Sequence, residues 1–83
     1  MELGVMYMLG RGVQKDDVMA VHWWRKAADQ GYAFSLGDRG IDFIMGLDEV
    51  RNQKMGCSML GIAANNTDYA VYRMNYNSFC VKP

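Results

Sequence analysis

Leu3 to Gly31, LGVMYMLGRGVQKDDVMAVHWWRKAADQG, is the stretch from which the rest of the chain is read. Leu3, Met6, Tyr7 and Leu9 are spaced for one face of a helix. Gly10-Arg11-Gly12 breaks that pattern, because closely spaced glycines supply left-handed backbone cheaply. Val13 is an isolated apolar residue in a polar loop and is read as its anchor. Asp16 is placed to cap a following helix: its carboxylate can accept from free amides of the first turn and favours the positive helix end. Ala20, Trp23, Trp24, Ala27 and Ala28 then form an apolar stripe at helical spacing, with His22, Arg25, Lys26 and Asp29 opposite. Gly31 stands where a left-handed residue ends a helix. The reading is a helical hairpin, and such a hairpin needs a stacked neighbour to bury its stripe.

The same residues carry a family resemblance. Leu3-Gly4, Tyr7, Gly10-x-Gly12-Val13, Asp16, Ala20, Trp23, Lys26-Ala27-Ala28 and Gln30-Gly31 resemble the Sel-1-like repeat, a relative of the tetratricopeptide repeat. The resemblance implies an α/α superhelix and a role in holding protein complexes together. It implies no catalytic residue.

The rest of the chain reads as a worn copy. The slide that sets Gly4 on Gly40 also sets Tyr7 on Phe43, Gly10 on Gly46, Ala20 on Gly56 and Ala27-Ala28 on Ala63-Ala64. Trp23 falls on Met59 and Trp24 on Leu60, apolar in both copies. A second slide takes Phe43 to Phe79. Ala20/Gly56 and Ala27/Ala63 are therefore expected at close helix contacts. The copy also departs from its parent. Leu3 becomes Arg39 and Lys26 becomes Ile62. Gly12-Val13 becomes Asp48-Glu49, so the loop Gly46 to Asn52 is expected to fold differently, with Val50 as its anchor. Gln30-Gly31 becomes Asn66-Thr67, where Asn66 tolerates a left-handed conformation.

The expected fold is all-α, an α/α solenoid of antiparallel hairpins with about five helices. They are read over Glu2–Leu9, Asp17–Gln30, Ala33–Met45, Gln53–Asn65 and Asp68–Cys80. Residues 1–83 form one domain, with repeat one at 1–31, a degenerate repeat two at 32–67 and the first helix of a third at 68–80. Tyr69, Tyr72, Tyr76 and Phe79 give that last helix an aromatic stripe. With no second helix to cover it, apolar surface is expected at the ends. That predicts self-association or a bound partner near Met6, Leu9, Tyr76 and Phe79.

Composition narrows the function. Formal net charge is zero, with acids and bases mixed along the chain, so a nucleic-acid partner is not expected. No segment is long enough to span a membrane. The apolar start lacks a basic residue, so no signal peptide is read and the cytoplasm is the default compartment. No cofactor and no metal are expected, because two cysteines and one histidine do not make a zinc set.

Candidate chemistry is thin. His22 and Cys57 could form a base and nucleophile, but the repeat register sets them one repeat-width apart. Asp16, Asp17, Asp48 and Glu49 fit capping and loop solvation better than a convergent acid–base pair. Gly10-Arg11-Gly12 follows a helix, whereas a phosphate cradle follows a strand and opens one. Counted from a turn at Asn66-Thr67, Cys57 and Cys80 lie about 6 Å out of step along their helices. A disulfide needs Cα atoms within about 7 Å, so the two are read as reduced.

The expected function is a non-enzymatic protein–protein interaction module; the rival is a small inhibitor or immunity-type protein masking one partner. The partner-binding residues are read as Glu2, Met6, Asp38, Asp42, Met74 and Ser78. They fall on one stripe of the first helices of the hairpins and vary between copies.

Overall fold

The computed structural model describes residues 2–46 and 52–81. These hold five α-helices: α1 (Glu2–Leu9), α2 (Asp17–Ala27), α3 (Ala33–Met45), α4 (Gln53–Asn66) and α5 (Ala70–Phe79). The fold is all-α, as the periodicity predicts. α1 pairs with α2, α3 with α4, and α5 packs on α4 and α3.

The caps explain where the helices start and stop. Asp16 Oδ1 accepts from the Val18 and Met19 amides at 3.0 and 3.1 Å, satisfying two orphan donors of α2. Asn52 does the same for α4, its Oδ1 accepting from the Met55 amide at 3.0 Å. The backbone amide of Asp16 donates to the Tyr7 carbonyl at 2.8 Å, and that of Asn52 to the Phe43 carbonyl at 2.9 Å. Each pair is related by the slide that sets Gly4 on Gly40. Gly10 and Gly46, related in the same way, close α1 and α3 with φ of 74° and 69°. The two inter-helix loops thus leave and rejoin their hairpins through equivalent hydrogen bonds, although their sequences differ. Val50, the expected anchor, lies outside the described residues.

Between hairpins the chain behaves in two ways. α2 keeps ordinary helical backbone through Ala27 and Ala28 and meets α3 across a kink at Gly31. There Gly31, at φ 97°, takes the left-handed conformation that lets α3 start at once. After α4 no residue turns left-handed. Asn66 stays helical and its side-chain amide donates to the Ile62 carbonyl at 2.8 Å, while Thr67 Oγ1 donates to the Ala63 carbonyl at 3.0 Å. Thr67 itself is extended, and α5 starts at Ala70 rather than Asp68.

That late start overturns the reading of the cysteines. Cys57 and Cys80 form a disulfide, with Cα atoms 5.7 Å apart. The segment Thr67–Tyr69 crosses between the helices instead of climbing along one. Counted from the true helix ends, Cys57 and Cys80 then lie at nearly the same height. Gly61 brings α5 close, because a Cβ there would stand 2.9 Å from the Tyr76 ring.

One cluster of buried residues joins the hairpins: Val5 and Met8 of α1, Ala20 and Trp24 of α2, Leu36 and Phe43 of α3, and Met55 and Met59 of α4. A second joins α3, α4 and α5 through Ile44, Leu60, Ala63 and Tyr72. The expected small-residue contacts are buried: Ala20, Ala27, Gly56 and Ala63 are all in the core. Of the two tryptophans, Trp24 is wholly buried, whereas Trp23 lies half-buried against His22, with Lys26 Nζ 5.4 Å from its ring.

Candidate functional site

The six stripe residues belong to α1, α3 and α5, but their surroundings differ. Glu2 opens α1. Met6 is half-buried, and its methyl group lies beneath the Gly12 loop. Asp42 is half-buried near the end of α3, where its carbonyl accepts the Gly46 amide at 2.8 Å. Met74 is 65 % exposed and Ser78 is exposed. Met74 lines a small hollow of about 290 Å³ with Tyr69 and Arg73, which Met6, Asp38, Asp42 and Ser78 do not line.

Asp38 has work inside the fold. Tyr72 crosses from α5 to α3, its ring lying over Gly37. Its hydroxyl stands 2.8 Å from both Asp38 Oδ1 and the Phe34 carbonyl. One proton serves two acceptors, so the hydroxyl is held between them. Burial, followed by the hydrogen bond and charge of Asp38, pushes the Tyr72 phenol above its ordinary range. The group is a neutral donor locking α5 to α3.

The aromatic stripe of α5 faces inward. Tyr72 is buried and Tyr76 half-buried against Gly61, so α3 and α4 cover the stripe's centre. The uncovered stripe that the sequence predicts is therefore covered at its centre, because α5 packs back on α4 and α3 and needs no second helix there. The apolar groups α5 leaves in water are Val71, Met74 and Phe79. Phe34 and Tyr69 extend this exposed surface, their ring centroids 5.9 Å apart.

Nothing in this arrangement resembles a nucleophile and its base. Cys57 is bonded to Cys80 and offers no thiol, and His22 stacks edge-on against Trp23. No helix of the described residues is long and apolar enough to cross a membrane.

Antiparallel hairpins, caps in equivalent places and a shared inter-hairpin core define a helical repeat protein. Residues 1–32 match the family model described as Sel1 repeat, so the first hairpin is the part of the chain that is similar to that family. Sel1 repeats generally mediate protein–protein interaction and are non-catalytic modules. No curated protein and no solved structure matches the chain.

Proposed function

We propose that the chain is a non-enzymatic protein–protein interaction module that binds through the surface of a short helical repeat stack. The observation that carries this is the pairing of fixed and free positions. The caps at Asp16 and Asn52, with their ties to Tyr7 and Phe43, recur one slide apart. The stripe residues of the first helices, Glu2, Met6, Asp38, Asp42, Met74 and Ser78, do not. A repeated frame with a changing surface is the arrangement by which solenoids recognise partners. On this reading repeat one is 1–31, repeat two 32–67, and 68–80 opens a third. Self-association through the exposed apolar residues of α5 accompanies it.

The test is affinity capture with the intact chain, followed by the same capture with Asp42→Lys and Met74→Asp. Asp38 is left alone because it holds Tyr72. A protein retained by the parent chain and lost with either variant supports the stripe. Retention by both variants, with folding intact, removes it. Light scattering over a concentration series reads the self-association, and a constant monomer mass would exclude it.

A further inference from the structure

The last helix is held to the stack in a way that the other four are not. Of the ten residues of α5 only Tyr72 is buried, whereas α3 buries six and α4 seven. Tyr69, at its start, makes no side-chain cap, and α5 has no acid in its first turn and no base in its last. A helix this short is marginal in water by itself. Its closure also differs from that of the hairpins. The Tyr7 and Phe43 carbonyls accept from the amides of Asp16 and Asn52, each the cap of its own hairpin's second helix. The slide sets Phe43 on Phe79, and the Phe79 carbonyl accepts instead from the exposed Gln53 side chain of α4 at 2.5 Å. α5 therefore borrows its closure from the preceding hairpin.

Three further attachments hold it. Near its start the Tyr72 ring lies over Gly37 of α3, with its hydroxyl between Asp38 and the Phe34 carbonyl. One turn on, the Tyr76 ring lies over Gly61 of α4. At the far end the Cys57–Cys80 disulfide fixes it to α4. The first two are rings resting in glycine seats, free to lift and return. The third is covalent but open to exchange, because both cysteines are half-buried rather than sealed in the core. With the bond in place α5 is anchored at both ends, by the chain at Thr67–Tyr69 and by Cys80. Without it the chain at Thr67–Tyr69 is the only covalent anchor. Tyr72 shares one buried cluster with Ile44, Leu60, Ala63 and Ala64, so lifting α5 bares that face of α3 and α4.

We propose that the Cys57–Cys80 bond is a redox latch that decides whether α5 covers the α3–α4 face. The reductant is a dithiol. One of its thiolates attacks one sulfur of the bond, and a mixed disulfide forms as the other cysteine leaves as a thiolate. The second thiol of the reductant then displaces the first cysteine and closes the reductant's own disulfide. The chain gains two electrons and two protons, and the dithiol loses as many. α5 then lifts and loses its helix, while the two hairpins stay folded around Val5, Trp24, Leu36, Phe43 and Met59. The oxidised reductant closes the latch again by the reverse exchange. The latch rests on the packing of α5 and not on the stripe proposed above.

The test uses the full chain in buffers of reduced and oxidised dithiothreitol. Thiols are counted by alkylation and mass, and amide hydrogen exchange is followed at each ratio. Both cysteines should become alkylated while the chain is folded. The α5 amides should then exchange at least about ten-fold faster, with those of α2 and α3 keeping their protection. A dye for exposed apolar surface should bind the reduced chain alone. Return to the oxidised buffer should restore the protection of α5. Cys57→Ser with Cys80→Ser should hold α5 open at every ratio. Thiols that appear only after denaturation, α5 protection that ignores reduction, or a loss of protection spread evenly from α1 to α5 would each overturn the latch.

Discussion

In the first hairpin Gly4 lies under the Trp24 indole, so that a Cβ at Gly4 would run into the ring at Nε1 and Cδ1. In the second, the equivalent Gly40 lies against backbone: a Cβ there would stand 2.8 Å from the Gly56 carbonyl oxygen and 2.9 Å from the Leu60 nitrogen. The slide relates Gly4 to Gly40, Ala20 to Gly56 and Trp24 to Leu60. One glycine houses a large ring, and its counterpart lets two helices touch. A repeat position therefore has no fixed role: what faces it decides whether the missing side chain is room for a neighbour or permission for close approach. The hairpin without a family match is the one whose backbones meet. Its drift from the signature exchanged an indole for a second glycine without opening the core.

The largest expected effect falls on the first hairpin. Trp24→Ala removes a wholly buried indole and should cost about 3–5 kcal/mol in urea melts. Trp24→Leu, which copies the second hairpin, should cost clearly less, although Gly4 would then face an unfilled gap. The indole Nε1–H has no partner among the described residues, so part of what the ring contributes is already offset by its desolvation. A Trp24→Ala chain as stable as the parent would show that the ring is not what fills the first hairpin.

Next comes the covalent tie, which binds the second hairpin to α5 and has no counterpart in the first. Cys57→Ser with Cys80→Ser releases a loop with a sequence separation of 23 residues and should cost about 3 kcal/mol on chain-entropy grounds. Hydrogen exchange should quicken along α5 and leave α1 and α2 nearly unchanged. A uniform rise along the chain would mean that the two halves unfold as one unit.

The glycine contrast is smaller and sharper. Gly56→Ala makes the second hairpin resemble the first, where Ala20 occupies that place. The new Cβ would stand 2.6 Å from the Gly40 carbonyl oxygen, a backbone atom that cannot swing aside. Overpacking of this kind costs about 1–3 kcal/mol. Ala20→Gly in the first hairpin should cost only about 1 kcal/mol, through helix propensity. Equal costs at the two positions would erase the distinction between them.

Much of this frame was legible in the residues. The spacing of Ala20, Trp24 and Ala27 gave the buried face of α2, and Asp16 gave its cap. α1 and α3 begin and end where periodicity put them. Other features escaped for definite reasons. The Asn52 cap was signalled by the slide from Asp16, but Asn52 was read as loop because the residues before it no longer matched. The disulfide was missed by a helix start two residues out, which an axial count turns into several ångströms. Asp38 looked free because its partner Tyr72 is far away in sequence, and only the packing of α5 on α3 joins them.

The smallest expected effect probes the joint between the hairpins. Lys54 corresponds to Val18 under the slide, so its bond to Asp17 occurs once and is no part of the repeated frame. That hydrogen bond, helped by the charges of Lys54 and Lys15 and partly opposed by desolvation, holds the Asp17 carboxyl below the usual aspartate range. A carboxyl whose folded pKa is depressed binds its proton more readily in the unfolded chain. Its contribution to stability is therefore complete above the ordinary aspartate value and fades as pH falls through the lower, folded one. Lys54 is mostly solvent-exposed, so the pair should hardly move a melt at neutral pH. Its signature is the Asp17 carboxyl titration followed by carbon resonance. In Lys54→Met the midpoint should rise toward that of an ordinary aspartate. An Asp17 midpoint that ignores the substitution would mean that the first turns of α2 and α4 do not meet. The side-by-side register of the two hairpins would then have to be redrawn.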